Sequence, residues 1–481
     1  MTTTPLPSRK NLLLITTDQQ RFDTIAAAGN TSIFTPHLDW LCDEGIRYAR
    51  AYSDCPICVP ARATIMTGTH AWNLGLTDNH DRHHCMANRP TLPGVLTRTG
   101  YQTRAEGKMH FTPPRAHYGF EHMEILQDYY RSTQHAGGPP PLHHGVGQNE
   151  MQPVFDTCED HRTLTNWTVD RSIDFLETRD ATRPFFLWTS FADPHPPFAP
   201  PQSAWEIYNG ITLPEPACGD WAETDEGPLT AWRNYTCKLS GADRFSREQW
   251  QSVRRAYYAC LTHIDYSLGR LFARLRELGL LEDTWIVFTS DHGEMLGDHR
   301  LAAKGQYLEG AAHVPLIIRP PSNAPGYDEH RGTTDDRLAC LADLMPTFLN
   351  RAQDNLVPNG LDGLDLLGQG QRGHLFGSCG PFHAVIEGDW KYQFCEMGGG
   401  ELLFNLRDDP GELRNRVGDP SSADTCSSLK EKMIGHLKQT GSAAVKSGNL
   451  QATTPLPSAR EARSRSWRGF HSEHELSDVL H

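Results

Sequence analysis

No run in the 481 residues approaches the roughly 20 consecutive apolar positions that a membrane-spanning helix needs, which excludes a helical membrane protein. An excess of basic charge is missing too. Lys and Arg number 45 against 59 Asp and Glu, a formal net charge of −14. That balance argues against broad nucleic-acid binding and leaves room for a local anion pocket. The twelve cysteines have no framework spacing; apart from Cys55 and Cys58 they are scattered singly, so most are expected to be reduced and buried. Global disorder is excluded, because 38% apolar residues supply a sizeable core. The polar first ten residues pass straight into a short strand-like run ending in Asp18, a poor match to a secretion signal. A cytoplasmic location is therefore expected.

What is present alternates. Residues 12–15, 101–106, 185–191, 285–289 and 316–318 read as buried strands, and helical patterns separate them. Thr35-Pro36 with Gly45, and Thr91 with Gly100, bracket two helices with start and stop residues. The clearest helix spans about 247–278, with Val253, Tyr257, Cys260, Ile264, Leu268, Leu271, Leu275 and Leu278 on one face. This pattern predicts an α/β fold: a mostly parallel sheet flanked by helices, over residues 1–370. Composition changes at 362–373. Short strand-like pieces and a helix at 427–438 then predict a smaller α+β domain over 371–440, followed by a polar tail, 441–481, carrying Arg460, Arg463 and Arg465.

Five polar clusters fall at strand exits or helix starts. Cys58-Val-Pro-Ala-Arg62 places a thiol at a helix N-terminus, where unpaired N–H groups and a guanidinium favour an anion and lower a thiol pKa. Asp18-Gln19 and Asp291-His292 close two strands and offer oxygen and imidazole ligands to a hard metal. Gly107-Lys-Met-His110 brings Lys108 and His110 to another exit, and Asp193-Pro-His195-Pro-Pro-Phe198 holds His195 between prolines. Lys304 follows Asp291 closely. Taken singly, each has an ordinary structural explanation: a buried Cys, a turn-capping Asp, a solvated Lys. Jointly they supply a metal shell, an anion cradle and proton donors on the side where parallel sheets bind ligands.

These residues resemble the formylglycine-dependent sulfatases of the alkaline-phosphatase superfamily, in order over nearly the whole chain. Cys58-Val-Pro-Ala-Arg62 with Thr67-Gly68 is similar to the family's modification signature. Thr35-Pro-His-Leu-Asp39, Gly107-Lys-Met-His110, Ser290-Asp-His-Gly293 and Asp343-Leu-Met-Pro-Thr347 resemble further blocks, as do Leu403-Phe-Asn-Leu, Asp409-Pro and Glu412 in the smaller domain. The Asp18-Gln19 and Asp291-His292 pairs look like the branch of choline sulfatases and phosphonate monoester hydrolases.

The resemblance implies an alkaline-phosphatase-like fold and sulfate ester hydrolysis. It implies that a formylglycine-generating enzyme oxidises Cys58 to formylglycine (3-oxoalanine), whose hydrate attacks sulfur with Arg62 in support. It assigns Asp18, Gln19, Cys58, Asp291 and His292 to a divalent metal, Ca2+ first, with Mn2+ or Mg2+ as alternatives. Lys108 and Lys304 would clamp sulfate, His195 with Lys304 would protonate the leaving alcohol, and His110 would take the proton that lets sulfate depart. Asn79 joins Lys108, His195 and Lys304 as a substrate contact. A small sulfated substrate and a homo-oligomer, with no nucleic-acid or membrane partner, complete the expectation. The alternatives are a phosphonate monoester or phosphodiester hydrolase using the same site, and a non-catalytic sulfated-glycan binder. Specificity is expected from residues 78–80, His83, His84, 137–145 and 213–227, with Tyr129, Tyr130, Trp205 and Trp221 as candidate aromatic faces.

Overall fold

The computed structural model describes residues 9–79, 86–135, 146–147, 149–242, 245–352 and 356–454. Eight strands form the central sheet: β1 Asn11–Thr17, β2 Ile46–Tyr48, β3 Gln102–Gly107, β4 His122–Ile125, β5 Phe185–Ser190, β6 Thr284–Ser290, β7 Leu316–Arg319 and β8 Thr333–Asp335. Their order is β4-β3-β5-β1-β6-β7-β2-β8. The first five are mutually parallel, and β7 runs antiparallel between β6 and β2. The mostly parallel sheet is as expected. The short β2, β4 and β8 carry no periodic signal and are legible only in the fold.

The alternation of side chains along the strands divides the core in two. Leu12, Leu14, Phe186, Trp188 and Val287 pack on one face, and Leu13, Ile15, Phe185, Leu187, Ile286 and Phe288 on the other. Both faces are covered, so β1 and β6 can be apolar at successive positions. The long helix α1, Arg247–Glu277, closes the second face and packs against α2, Leu164–Thr178. Ser246 and Gln249 form a capping box at its start.

Beyond the sheet, β9 His374–Cys379, β10 Phe382–Glu387, β11 Trp390–Cys395 and β12 Gly400–Asn405 make an antiparallel meander backed by α3, Ala423–Gln439. Val385, Tyr392 and Leu403 meet Leu429, Met433 and Leu437 of that helix. Ala384, Ile386, Leu402 and Phe404 point the other way and join the apolar cluster of the large sheet. A buried ionic group fastens the same seam: Lys391 Nζ lies 2.6 Å from Glu309 Oε1 and 2.7 Å from Glu412 Oε1. Of the tail, a short hairpin, Val445–Lys446 with Asn449–Leu450, is described; Arg460, Arg463 and Arg465 lie outside the described residues.

Candidate active site and metal centre

Four adjacent parallel strands deliver the site. In the β1–β6 pairing Thr17 stands opposite Ser290, so the next residues, Asp18 and Asp291-His292, leave the sheet side by side. Gly107 stands opposite Ser190 at the ends of β3 and β5, and Lys108 and His195 follow. Only glycine fits at 107. Its φ is +93°, and a Cβ there would lie 2.1 Å from the Ser190 carbonyl oxygen. That close approach lets Lys108 N–H donate to Ser190 O at 2.8 Å.

The helix Cys58–Thr67 points its first turn at these exits. The N–H groups of Cys58 and Val59 have no intrahelical partner, and Asn79 Oδ1 accepts the one from Val59 at 2.9 Å. Cys58 is buried, with Sγ 3.2 Å from His292 Nε2 and 3.5 Å from Lys304 Nζ. One turn on, Arg62 Nη2 donates to Asp18 Oδ2 at 3.1 Å, Nε to Asp291 Oδ2 at 3.0 Å, and Nη1 to Ser190 Oγ at 2.8 Å. Lys108 Nζ lies 2.9 Å from Asp18 Oδ2. Asp18, Gln19, Arg62, Lys108, Asp291 and His292 are all at most 1% exposed.

Electrostatics follow from that burial. Loss of water presses the Asp18 carboxyl up, but Lys108, His195, Arg62 and Lys304 outweigh it and hold the group well below its usual range. Burial and Asp18 act upward on the Cys58 thiol. Lys304, His292 and a hydrogen bond from His110 prevail, leaving it well below the ordinary thiol value. Burial, then Lys304 and Lys108, push His195 down to about 4. Its Nδ1 donates to Pro196 O at 2.7 Å, since a carbonyl can only accept, which turns Nε2 toward the site, where the ring also hydrogen-bonds Cys58. His292 is fixed the same way: Nδ1 faces Gly293 O at 3.1 Å, presenting Nε2.

Ligand atoms of Asp18, Cys58, Asp291 and His292 all lie within 4.8 Å of one another. The donor set fits a divalent ion: two carboxylates, an imidazole in the ligating tautomer, and position 58. Burial, then the neighbouring Asp18, push Asp291 up to about 6 against the pull of His292 and Arg62. Gln19 is placed differently from a simple fifth ligand. Its Oε1 accepts from Lys304 Nζ, and its Nε2 donates to Glu294 Oε2.

The fold thus brings together Asp18, Gln19, Cys58, Arg62, Lys108, His110, His195, Asp291, His292 and Lys304, with Asn79 at the same helix start. Sequence reasoning missed Ser190, which the guanidinium contacts, and Glu294. The signal for Glu294 was an acid placed directly after Asp291-His-Gly. The four candidate aromatics do not converge. Tyr129 and Tyr130 pack with Leu126, Leu164 and Ala192; Arg255 covers Trp205; Trp221 donates to Glu412 O at 2.8 Å. Trp232, not singled out earlier, instead packs against Gly305, next to Lys304. His80, His83, His84 and residues 137–145 lie outside the described residues.

Comparison with known proteins agrees with this geometry. The sulfatase family model matches residues 10–354. An arylsulfatase of Clostridium perfringens is 31% identical over 464 residues, covering 89% of this chain and 95% of the relative. A choline-sulfatase of Rhizobium meliloti is 29% identical, covering 86% and 83%. The crystal structure of a phosphonate monoester hydrolase of Agrobacterium radiobacter superposes with a TM-score of 0.76 at 27% identity, over 90% of this chain and 96% of that one. A strand-exit metal shell, a helix-start cysteine with its arginine and a match along most of the chain have one common account: this chain belongs to the sulfatase family, within the alkaline phosphatase superfamily.

Proposed function

We propose that the protein hydrolyses a sulfate monoester of a carbohydrate, aryl or alkyl alcohol, releasing the alcohol and inorganic sulfate. The observation that carries this reading is the placing of Cys58 Sγ against His292 Nε2 and Lys304 Nζ, above the Arg62 bridge to Asp18 and Asp291. Cys58 converted to formylglycine by a separate generating enzyme would supply a hydrated aldehyde, with one hydroxyl to attack and another to expel sulfate. A divalent ion, Ca2+ or alternatively Mn2+ or Mg2+, held by Asp18, Asp291, His292 and position 58 with Gln19 beside them, would supply Lewis acidity. Arg62 bridges the two carboxylates and would hold them for that ion. Lys108 and Lys304 neutralise sulfate oxygens, and Asn79 lines the entrance. Lys304 with His195 serves the leaving oxygen, and His110 accepts the proton of the second hydroxyl.

A second reading keeps the site and changes the ester. The 27% identity and 0.76 TM-score to a phosphonate monoester hydrolase support it, because a monoanionic phosphonate or phosphodiester shares the charge and shape of a sulfate monoester. Kinetics on an aryl sulfate and an aryl phosphonate ester, followed by sulfated sugars and choline sulfate, tests both. A kcat/KM clearly higher on the sulfate supports the first reading, and the reverse order overturns it.

No helix among the described residues is long and apolar enough to cross a membrane. Eleven cysteines among the described residues form no disulfide, which supports a reducing, cytoplasmic setting. The 371–440 domain boundary, and a homo-oligomer formed through the 441–481 tail, belong to the same proposal.

A further inference from the structure

Gln19 has an amide whose two ends face opposite partners. Lys304 Nζ donates to Oε1, and Nε2 donates to Glu294 Oε2. A flipped amide would set NH2 against an ammonium and oxygen against a carboxylate, so the pair of partners dictates one orientation. Glu294 is itself rigidly held. It is fully buried, and its Oε1 accepts from Ala303 N–H at 2.6 Å and Leu296 N–H at 3.1 Å. The Gln19 backbone is fixed as well. Its φ is +74°, its N–H donates to Asp291 Oδ1 at 3.1 Å, and its carbonyl accepts from Tyr257 Oη at 2.7 Å.

We propose that Glu294 is a positioning residue of the active site. Through Gln19 it aims an amide oxygen at the metal shell and holds Lys304 beside the nucleophile. The Glu294 carboxylate itself contacts Gln19 and two backbone N–H groups. The neutral amide also keeps the Glu294 carboxylate from pairing directly with Lys304, whose ammonium stays available 3.5 Å from Cys58 Sγ. This inference rests on the metal-dependent reading of the site and extends it to a residue outside the ligand set. Loss of such an outer partner typically costs about 10- to 100-fold in metal affinity or activity.

Mn2+ binding to the full-length apo-protein, read from the free-ion signal in electron paramagnetic resonance, tests the proposal without relying on turnover. Glu294→Gln should weaken Mn2+ binding about 10- to 100-fold, because its NH2 would turn the Gln19 amide around. In a Gln19→Leu background the same change should add less than about twofold, since the route of its effect is gone. The swap Gln19→Glu with Glu294→Gln keeps the charge and a complementary pair, with residue 294 now donating to residue 19 and an oxygen still facing Lys304, and should bind Mn2+ within about threefold of the wild type. Glu294→Gln binding as the wild type does would overturn the proposal. So would an equal loss in both backgrounds. If Glu294→Gln does not fold, the swap decides: a folded, Mn2+-binding swap supports the positioning role, and an unfolded one overturns it. Wild-type protein that binds no Mn2+ would instead overturn the metal site itself.

Discussion

The Arg62 guanidinium ties Asp18 to Asp291, with Nη2 3.1 Å from one carboxylate and Nε 3.0 Å from the other. The two acids end neighbouring strands, and without that fork their charges would repel inside a dry pocket. Lysine can reach one of them and not both. Arg62→Lys should therefore lower kcat/KM by at least about 10²-fold, in the range seen for loss of one preorganised electrostatic contact. It should also lower the thermal midpoint. Steady-state kinetics and calorimetry check the two effects.

Cys58 is expected to be an aldehyde in the active enzyme. Peptide mass spectrometry of protein co-expressed with a formylglycine-generating enzyme should find part of position 58 as aldehyde or hydrate, with activity rising in proportion. Cys58→Ala should abolish turnover with the fold retained, because the thiol lines a polar site and anchors no apolar cluster. Full activity in a preparation carrying only the free thiol would sink the mechanism.

Lys304 and His195 should matter most when the leaving group is poor. Proton delivery is typically worth about 10²- to 10⁴-fold, and only where the leaving oxygen needs a proton. Lys304→Ala should thus harm alkyl sulfates far more than activated aryl sulfates; His195, neutral above about pH 4, is the weaker donor, and His195→Ala should show the same contrast to a smaller degree. Equal losses on both would reassign these residues to binding.

The buried Lys391 answers two carboxylates, Glu309 and Glu412, across the seam between the sheets. Lys391→Met would leave both acids buried without their cation, at a cost of about 3–5 kcal/mol in urea unfolding. Adding Glu309→Gln and Glu412→Gln should return much of that loss. A single change with no measurable cost would mean water reaches the seam.

Acid should destabilise the fold through histidines kept neutral. Burial pushes His263 and His299 down to about 4, against an ordinary value near 6.5. Between these values the unfolded chain binds protons that the folded one refuses. Stability therefore falls as pH drops from about 6.5 to 4, and it is retained above that window. The thermal midpoint should decline across it, and His263→Gln should flatten the decline. Parallel curves for both proteins would place the acid sensitivity elsewhere.

Local chemistry determined much of this protein before any folding is considered. The apolar runs of β1, β5 and β6, the period of α1 and the start and stop residues around the helices report their own structure, because each depends on neighbours within a turn or a pleat. Asp18, Cys58, Lys108, His195 and Asp291-His292 were legible as strand-exit or helix-start chemistry for the same reason. Other features were set by partners distant in the chain. The strands β2 and β8, three residues each, exist because an edge is there to pair with. Gln19 reads as a ligand in sequence, yet Glu294 and Lys304, more than 270 positions away, decide which way its amide is turned. Tyr129, Trp205 and Trp221 were scattered by packing, while Trp232 was brought against Gly305. Ligand type is a property of a residue, but aim and charge are properties of its surroundings, and those exist only once the sheet has formed.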